Sequence, residues 1–301
     1  MTRSTVQVDG RKLTVTNLDK VFYPACGFTK AGVLDYYNRA SAAILPYLVS
    51  RPVSLRRFPD GAETEGFFEK NCPDYRPDWM GTHRVEHDSG PICYCGLDEP
   101  AALLWAANLG ALEFHPLLCG AGEPTRPDWM VFDLDPGAPA GLADCIEVAF
   151  LLRRMLAAVD LQAWVKTSGG KGLHVYVPLH TDVSFDQTKS VARTFARTLE
   201  KHQSQRITSV MKKSLRAGKV FVDWSQNDSH KSTVAVFSLR ARPLPSVSTP
   251  VSWDELSAAN ESGDPDSDLQ FLTDDVLADL DRRVEIFAPV LELRQKLPDL
   301  D

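Results

Sequence analysis

Two aspartates that follow an apolar run directly are the residues of this sequence best suited to carry chemistry. Asp133 and Asp135 come after Met130-Val131-Phe132 and before a Pro-Gly turn. If the run is a β-strand, alternation places both carboxylates on one face, at the end of the strand. Two carboxylates so close repel each other unless a cation lies between them. The pattern therefore predicts a site for a hard divalent ion such as Mg²⁺, which binds one or two carboxylates together with substrate phosphates.

A glycine-rich segment, Thr167-Ser168-Gly169-Gly170-Lys171-Gly172-Leu173-His174, is the second candidate. Its glycines let backbone N–H groups approach an anion, and Ser168, Lys171 and His174 add donors suited to a triphosphate. It is not a Walker A sequence, because the pattern G-x-x-x-x-G-K-[ST] does not occur. Taken alone, the segment fits an ordinary tight hairpin with a solvated lysine better than a phosphate site.

A third carboxylate, Asp223, also ends an apolar run, and Arg216 precedes it in the same segment. A carboxylate from a second strand would complete a two-metal site, in which ions roughly 3.5–4 Å apart activate a 3′-hydroxyl and stabilise departing pyrophosphate. Arg216 is suited to clamp a phosphate. By itself, Asp223 is better explained as a strand-end residue that caps a turn. Together, the three segments supply what nucleotidyl transfer requires.

Composition sets limits on the class of protein. At 301 residues and 44% hydrophobic, the chain is long enough for two subdomains. No apolar stretch approaches the length of a membrane span and the N-terminus is polar, so we expect a cytoplasmic, nucleoid-associated protein with no membrane contact. The six scattered cysteines are expected to be free thiols in a reducing compartment.

Charge is distributed unevenly along the chain. The net charge is −7, and residues 251–301 carry 14 acidic and 4 basic residues, or −10, which leaves +3 for residues 1–250. Basic residues crowd one stretch against Glu200 alone, and they are Arg193, Arg197, Lys201, Arg206, Lys212, Lys213, Arg216 and Lys219. Such a stretch is usually a solvated face, but it also suits a surface that contacts phosphates.

Apolar periodicity and turn residues predict a mixture of strands and helices. Helices are expected over residues 30–48, with Thr29 as N-cap, and over 99–112, 142–159 and 186–202. A strand or a hairpin is expected over residues 6–16. Strands are expected at the Asp133 run and over residues 51–58, 67–70, 82–95, 163–167, 173–178, 219–224 and 233–239. Because several strands are expected to pair antiparallel, the predicted fold class is α+β.

The predicted domain organisation has three consecutive parts. Residues 1–250 form a catalytic core, with an N-terminal α/β subdomain over about 1–128 and a catalytic subdomain over about 129–250. The composition changes after Pro245, and residues 251–301 are predicted as an acidic, mostly helical C-terminal cap.

Several longer strings, in order along nearly the whole chain, resemble the polymerase domain of bacterial LigD-type end-joining proteins, within the archaeo-eukaryotic primase superfamily. They are Asn17–Pro24, Arg56–Gly61, Phe67–Lys70, Glu113–Pro116, the Asp133 segment, the Ser168 segment and Ser214–Asn227. The resemblance implies an α+β, primase-like fold. In this fold, two mixed or antiparallel sheet subdomains with flanking helices form a central cleft, and the catalytic half is RRM-like.

The resemblance also implies roles for individual residues. The implied metal ligands and catalytic residues are Asp133, Asp135 and Asp223. The implied nucleotide contacts are His115 beside the sugar, Ser168, Lys171, His174 and Arg216 at the triphosphate, and Arg240. The implied DNA contacts are Asn17, Lys20 and Lys30 in a pocket for a downstream 5′-phosphate, the stacking aromatics Phe67 and Phe68, and Arg56 and Arg57.

The implied activity is template-directed nucleotidyl transfer that extends primer 3′ ends and fills short gaps at 5′-phosphorylated breaks in non-homologous end joining. Two Mn²⁺ or Mg²⁺ ions and NTP or dNTP substrates are implied. So are gapped, 5′-phosphorylated DNA ends, Ku and a DNA ligase as partners. A monomer is expected.

Two other functions and one other site are each compatible with part of the sequence. An Asp-x-Asp after an apolar strand also occurs in haloacid-dehalogenase-type phosphohydrolases, where the first Asp is the nucleophile. A non-catalytic module that binds DNA ends is the alternative outside enzymes. His83, His87, Cys93 and Cys95 fit no common zinc template, and an alternating hairpin explains them better.

Overall fold

The structure is a computed structural model that describes residues 2–87 and 90–298, and its secondary structure is mixed. Within these residues the strands are β1 (Arg3–Val8), β2 (Arg11–Thr16), β3 (Val21–Tyr23), β4 (Phe28–Thr29), β5 (Val53–Arg57), β6 (Phe67–Glu69), β7 (Thr82–Val85), β8 (Ile92–Cys95), β9 (Ala111–Pro116), β10 (Trp129–Pro136), β11 (Trp164–Thr167), β12 (Leu173–Pro178), β13 (Ile207–Thr208), β14 (Val220–Asp223) and β15 (Pro250–Val251). The α-helices are α1 (Lys30–Arg39), α2 (Ser41–Ile44), α3 (Pro100–Asn108), α4 (Leu142–Ala157), α5 (Phe185–His202), α6 (Trp253–Ser262), α7 (Pro265–Asp268), α8 (Thr273–Ala278) and α9 (Leu280–Phe287). This mixture confirms the predicted α+β class. Among the residues described, no helix combines the length and the apolar character needed to cross a bilayer.

The chain divides into two compact units, and each is discontinuous in sequence. Unit 1 contains the residues up to Gly122 together with Ser232–Ser248 and Phe271–Asp281. Unit 2 contains Glu123–Lys231, Thr249–Gln270 and the residues from Arg282 onward. The division of the sequence near residues 128 and 250 remains a prediction about domain organisation.

Unit 1 is built on an antiparallel sheet centred on β5. Strand β5 pairs with β6 and with β9, and it meets β8, which forms a hairpin with β7. Helix α1 begins at the predicted N-cap, since the hydroxyl of Thr29 accepts from the N–H of Gly32. Tyr37 on this helix is buried, and its hydroxyl donates to the carbonyl of Leu112 at 2.7 Å. Residues 88 and 89, inside the predicted extended stretch 82–95, lie outside the described residues.

Three predicted elements of unit 1 are wrong in extent or type. The helix expected over 30–48 ends at Arg39 and is followed by α2 and a 3₁₀ turn that contains Pro46. The helix expected over 99–112 ends at Asn108, because Gly110 adopts a φ of 85°, and β9 starts directly after it. The strand expected over 233–239 is an irregular buried segment in which Phe237 has a φ of 62°.

The prediction of free thiols is wrong for two of the six cysteines. Cys72 and Cys95 form a disulfide with their Cα atoms 4.7 Å apart. The backbone N–H of Cys72 donates to the carbonyl of Cys93, which lays this segment alongside β8 and brings Cys72 to its partner. The spacing of the cysteines in the sequence does not reveal this pairing, because it depends on contacts between separate segments.

Unit 2 is built on a six-stranded sheet in the order β13-β14-β10-β12-β11-β15. Only the β13–β14 pair is parallel among these neighbours. Helices α4 and α5 cover one face, where the Phe132 ring packs edge-on to Phe195 at 6.2 Å. At one end of the opposite face, the indole N–H of Trp129 donates to the carbonyl of Val290, so the C-terminal segment covers part of the sheet.

Candidate active site

Three carboxylates lie on one face of the unit 2 sheet. Asp133 on β10 pairs directly with Asp223 on β14 and with His174 on β12. Directly paired residues of antiparallel strands project from the same face, and Asp135, two residues along, shares that face. The row continues from His174 to Lys166 on β11, whose side chain is fully buried. The sheet register therefore brings together the three aspartates predicted as metal ligands.

The residue between Asp133 and Asp135 explains why both aspartates lie on the sheet face away from helices α4 and α5. Leu134, between them, is fully buried, and the Cys145 thiol of α4 donates to its carbonyl at 3.5 Å. Burial raises the pKa of the Cys145 thiol, and the charges of Asp135 and Asp133 raise it further. The alternation of buried and polar residues in β10 thus fixes the carboxylates on the open face, where Asp135 is 58% exposed.

Each carboxylate has its own protein partner. Asp133 Oδ1 lies 3.4 Å from Nε2 of His174, and Asp135 Oδ2 lies 4.0 Å from Nη1 of Arg216. Asp223 accepts from the backbone N–H of Ser225 and from the side-chain amide of Gln226. In the part of the chain that is described, no three His, Cys, Asp or Glu side chains gather in ion-binding geometry. The donor set itself fits Mg²⁺ or Mn²⁺, which prefer carboxylate oxygens.

The glycine-rich segment forms the tight turn between β11 and β12. The Ser168 hydroxyl accepts from the backbone N–H groups of Gly170 and Gly172, both at 3.2 Å. A Cβ atom on Gly172 would lie 2.0 Å from the carbonyl oxygen of Leu134, so only glycine lets this turn pack against β10. Lys171 is exposed in the turn. The backbone is thus a hairpin, and Lys171 supplies its accessible cation.

Arg216 is held beside the carboxylates by its own segment. Its guanidinium lies 3.7 Å from the centre of the Phe221 ring, and Nη2 donates to the carbonyl of Met211 at 2.7 Å. Phe221 pairs with Asp135 in the sheet, which explains the approach of the guanidinium to that carboxylate. The predicted phosphate clamp is therefore rigidly placed on the carboxylate face.

In unit 1, a buried carboxylate contacts three of the predicted residues, and a fourth packs against two of them. Glu113 is 1% exposed and accepts from Nε2 of His115 at 2.9 Å. Nη1 of Arg56 and Nε of Arg240 lie 3.3 and 3.2 Å from its oxygens. Phe68 stands opposite Arg56 in the sheet, and its ring is 5.1 Å from that of His115. The structure thus brings His115, Arg56, Arg240 and Phe68 together.

Sequence reasoning assigned no role to Glu113. Burial alone raises the pKa of this carboxyl, but the hydrogen bond from His115 and the charge of Arg240 outweigh it and hold the pKa well below its usual range. Burial lowers the pKa of His115, and Glu113 partly offsets that shift. The available signal was the spacing of two between Glu113 and His115, which places both on one face of β9.

The two predicted stacking aromatics are exposed on opposite faces of β6. Phe67 is 47% exposed and Phe68 is 53% exposed. The guanidinium of Arg57 lies 5.4 Å from the ring centre of Phe67 and donates to Glu69 at 2.9 Å. Tyr75, which sequence reasoning missed, is 65% exposed, and its hydroxyl accepts from Arg57 at 3.5 Å. Exposed rings with guanidinium groups beneath them are suited to stacking on nucleic-acid bases.

The three residues predicted to bind a 5′-phosphate are neighbours through their backbone. The N–H of Lys30 donates to the carbonyl of Lys20, and the N–H of Lys20 donates to the carbonyl of Asn17. Nζ of Lys20 bonds the carbonyl of Pro59 at 2.7 Å and Asp60 Oδ1 at 2.8 Å. Lys30 is 4% exposed, and its burial, with the charge of Lys20, lowers its pKa to about 8.

The histidines and cysteines of the alternative zinc site lie in the β7–β8 hairpin and directly after β7. His83 pairs with Tyr94 in the hairpin, and its Nε2 lies 3.3 Å from Asp98 Oδ2. Cys95 is bonded to Cys72. These contacts support the hairpin explanation of that segment.

Comparison with known proteins places this geometry in a family. The family model described as "LigD, primase-polymerase domain" matches residues 29–286 of this chain. The multifunctional non-homologous end joining protein LigD of Mycolicibacterium smegmatis is 39% identical over 282 residues, which is 93% of this chain and 36% of that protein. LigD of Mycobacterium tuberculosis (strain H37Rv) is 42% identical over 254 residues, 82% of this chain and 34% of that protein. The chain thus spans about a third of the length of these curated relatives.

A solved structure agrees with the sequence comparison. The polymerase domain from Mycobacterium tuberculosis Ligase D in complex with DNA is 37% identical and has a TM-score of 0.84, with 94% of this chain and 99% of that chain covered. The match confirms the archaeo-eukaryotic primase-like fold. The chain therefore belongs to the LigD primase-polymerase domain family.

Proposed function

We propose that this chain is a template-directed nucleotidyltransferase that extends primer 3′ ends and fills short gaps at 5′-phosphorylated DNA breaks in non-homologous end joining. The observation that carries the proposal is the strand register that sets Asp133 opposite Asp223, with Asp135 two residues along on the same face. The family match and the DNA-bound relative support it.

Asp133, Asp135 and Asp223 would hold two divalent ions, Mg²⁺ or Mn²⁺. When bound, such ions lower the pKa of the attacking 3′-hydroxyl and neutralise charge on the triphosphate and on departing pyrophosphate. Arg216, fixed against Phe221, is placed to bind the triphosphate, and Lys171 adds an accessible cation from its turn. His174 beside Asp133 orients that carboxylate. Positioning and charge neutralisation supply most of the rate in this class of reaction.

The unit 1 residues would bind the nucleotide and DNA. His115 donates Nε2–H to Glu113, so that Nδ1 of the neutral ring remains an acceptor for a sugar hydroxyl. Phe67 and Phe68 would stack on bases, a contact that contributes about 1–3 kcal/mol per base. Lys20 and Lys30, with Asn17, would bind the 5′-phosphate of a gap. Ku and a DNA ligase at the same break, in the bacterial cytoplasm, are the partners we propose.

Primer extension on a gapped duplex tests this function. Wild-type protein is assayed with and without the 5′-phosphate, with rNTPs and dNTPs, in Mn²⁺ and in Mg²⁺. We expect metal-dependent extension that the 5′-phosphate stimulates. Asp135→Ala should abolish extension and leave binding to the 5′-phosphorylated gap intact, while Asp182→Ala, on the exposed surface of the same unit, changes neither. Extension that survives Asp135→Ala would rule out the assigned metal ligands.

The two alternative functions give different results in the same assay. A phosphohydrolase would release phosphate without lengthening the primer, and a binding module would hold DNA ends without incorporation. The family match does not favour either one. Asp223 and His174 pair with Asp133 from the two neighbouring strands. A phosphohydrolase mechanism with Asp133 as the nucleophile gives neither of them a role.

A further inference from the structure

The basic stretch singled out in the sequence separates into paired and unpaired cations in the structure. Arg206 lies 3.3 Å from Asp144 and 2.6 Å from Glu147, which neutralise it. Nζ of Lys219 donates to the carbonyl of Ser204. Within the described residues, four others are exposed and make no ion pair, side-chain hydrogen bond or ring contact: Arg197, Lys201, Lys212 and Lys213. Their charge is therefore available to a partner.

Three of the cations form a stripe along α5. Arg193, Arg197 and Lys201 are spaced four residues apart and share one side of the helix, over a length of about 12 Å. The guanidinium of Arg193 stacks on the ring of Trp224 at 5.2 Å, which fixes this end of the stripe. The spacing gives a row of positive charge with a defined direction.

A groove of about 490 Å³ lies beside this stripe. Val210 and Met211 line it and are 42% and 51% exposed, and Lys212 adds a further cation. Glu200 also lines the groove, but its carboxylate accepts from the hydroxyls of Thr208 and Ser209. The groove thus combines more positive than negative charge with exposed apolar side chains, in a chain whose net charge is −7.

Two links within the chain connect the groove with the carboxylates of unit 2. Trp224, which lines the groove, directly follows Asp223 in the chain. The carbonyl of Met211, also in the lining, accepts from Arg216, whose other nitrogen approaches Asp135. A nucleic-acid strand that runs from the aspartates to the groove would therefore pass Arg216 and Met211.

We propose that this groove holds the sugar-phosphate backbone of the DNA strand whose 3′ end is extended. Phosphates contact Arg197, Lys201 and Lys212, and sugars or bases pack on Val210 and Met211. One strand carries a phosphate about every 3.4 Å of rise, so the 12 Å stripe matches three to four phosphates. A positively charged groove that follows the backbone is common to proteins that bind a single nucleic-acid strand. The identity of the strand rests on the function proposed above.

The test measures how salt affects DNA binding. The Kd for a fluorescent primed duplex is determined by anisotropy across a salt series, in EDTA and without nucleotide, for wild type and for R197Q/K201Q/K212Q. Each lost phosphate contact reduces the slope of log K against log salt by about 1, so the triple variant should lose about 3 from the slope. Its Kd at low salt should rise on the order of tenfold or more.

Matched controls decide between this groove and a general effect of charge. Arg206→Gln and Lys189→Gln remove equally basic side chains of unit 2 that are already ion-paired, and they should leave the slope unchanged. An unchanged slope in the triple variant, or an equal change in the controls, would overturn the proposal. Since binding is measured without catalysis, wild-type protein that fails to extend primers but shows the expected slopes would refute the proposed function and keep the groove.

Discussion

The two charged clusters of this protein are organised in opposite ways. In unit 1, a single buried carboxylate, Glu113, is surrounded by two arginines, a histidine and the backbone N–H of Ala241. In unit 2, three carboxylates share an open sheet face, with one arginine at 4.0 Å and one histidine at 3.4 Å. The first cluster surrounds one carboxylate with cationic and hydrogen-bonding groups, whereas the second sets three carboxylates side by side, with Arg216, His174 and the buried Lys166 near them.

The contrast supports the proposed division of roles, in which the first cluster positions groups and the second performs chemistry. Burying a charge costs free energy unless the charge is paired and hydrogen-bonded. The buried Glu113 therefore depends on its partners, and they in turn are held in place by its carboxylate. Like charges on an exposed face lower stability and are retained where they serve a function. Removing a carboxylate should therefore cost stability in unit 1 and activity in unit 2.

The largest expected effect is on catalysis, from Asp133→Asn. The substitution keeps the size of the side chain and removes one of three like charges. We expect single-nucleotide incorporation to fall by about 10³-fold or more. The melting temperature should stay the same or rise slightly, because repulsion is relieved. Incorporation within tenfold of wild type would mean that Asp133 does not act in the reaction.

The next effect concerns the stability of unit 1. Glu113→Ala leaves Arg56, Arg240 and His115 without their shared carboxylate and should cost about 3–5 kcal/mol in urea unfolding. Glu113→Gln keeps part of the hydrogen bonding and should cost less. In that variant the KM for nucleotide should rise more than kcat falls, because His115 and Arg240 lose their orientation. If Glu113→Ala and wild type have the same urea midpoint of unfolding, Glu113 does not stabilise unit 1.

A smaller loss of stability is expected at Gly172, where the turn between β11 and β12 packs against the backbone of β10. Gly172→Ala places a Cβ atom 2.0 Å from the carbonyl oxygen of Leu134 and should cost about 1–3 kcal/mol, with a matching loss of incorporation. Gly122→Ala is the control, because its Cβ meets open space. Equal melting temperatures for the two variants would show that the turn tolerates displacement from β10.

The smallest effect is a dependence on pH at Lys30. Its pKa is lowered to about 8, so the free protein loses this charge as the pH rises through 8, while a bound 5′-phosphate favours the charged form. The preference for a 5′-phosphorylated over a 5′-hydroxyl gap should weaken up to about tenfold between pH 8 and 9. Lys30→Arg keeps its charge and should flatten this dependence. Equal preference at pH 7 and 9 in wild type would contradict the assignment.

The sequence was sufficient for features that depend on local pattern. The apolar run before Asp133 predicted a strand with its carboxylates on one face, and Thr29 predicted the start of α1. Strand β12 was predicted with its observed bounds. In each case the deciding interactions lie within a few residues of each other.

Features that depend on contacts between distant segments were missed. Arg240 reaches Glu113 from a segment that was predicted to follow a strand but is irregular, so no local signal shows that Arg240 joins the cluster. The disulfide between Cys72 and Cys95 depends on how one loop lies against β8. The helix predicted to extend to residue 112 shows the same limit, because its Ala- and Leu-rich sequence suits a helix or a buried strand, and Gly110 separates the two.

Anomalous diffraction tests the central assignment most directly. Crystals would be grown with Mn²⁺, a primed duplex and an unreactive nucleotide analogue, and measured at the manganese absorption edge. We predict anomalous peaks about 2 Å from carboxylate oxygens of Asp133, Asp135 and Asp223. Peaks bound elsewhere, with Asp223 still held by Ser225 and Asp135 still facing Arg216, would contradict the account.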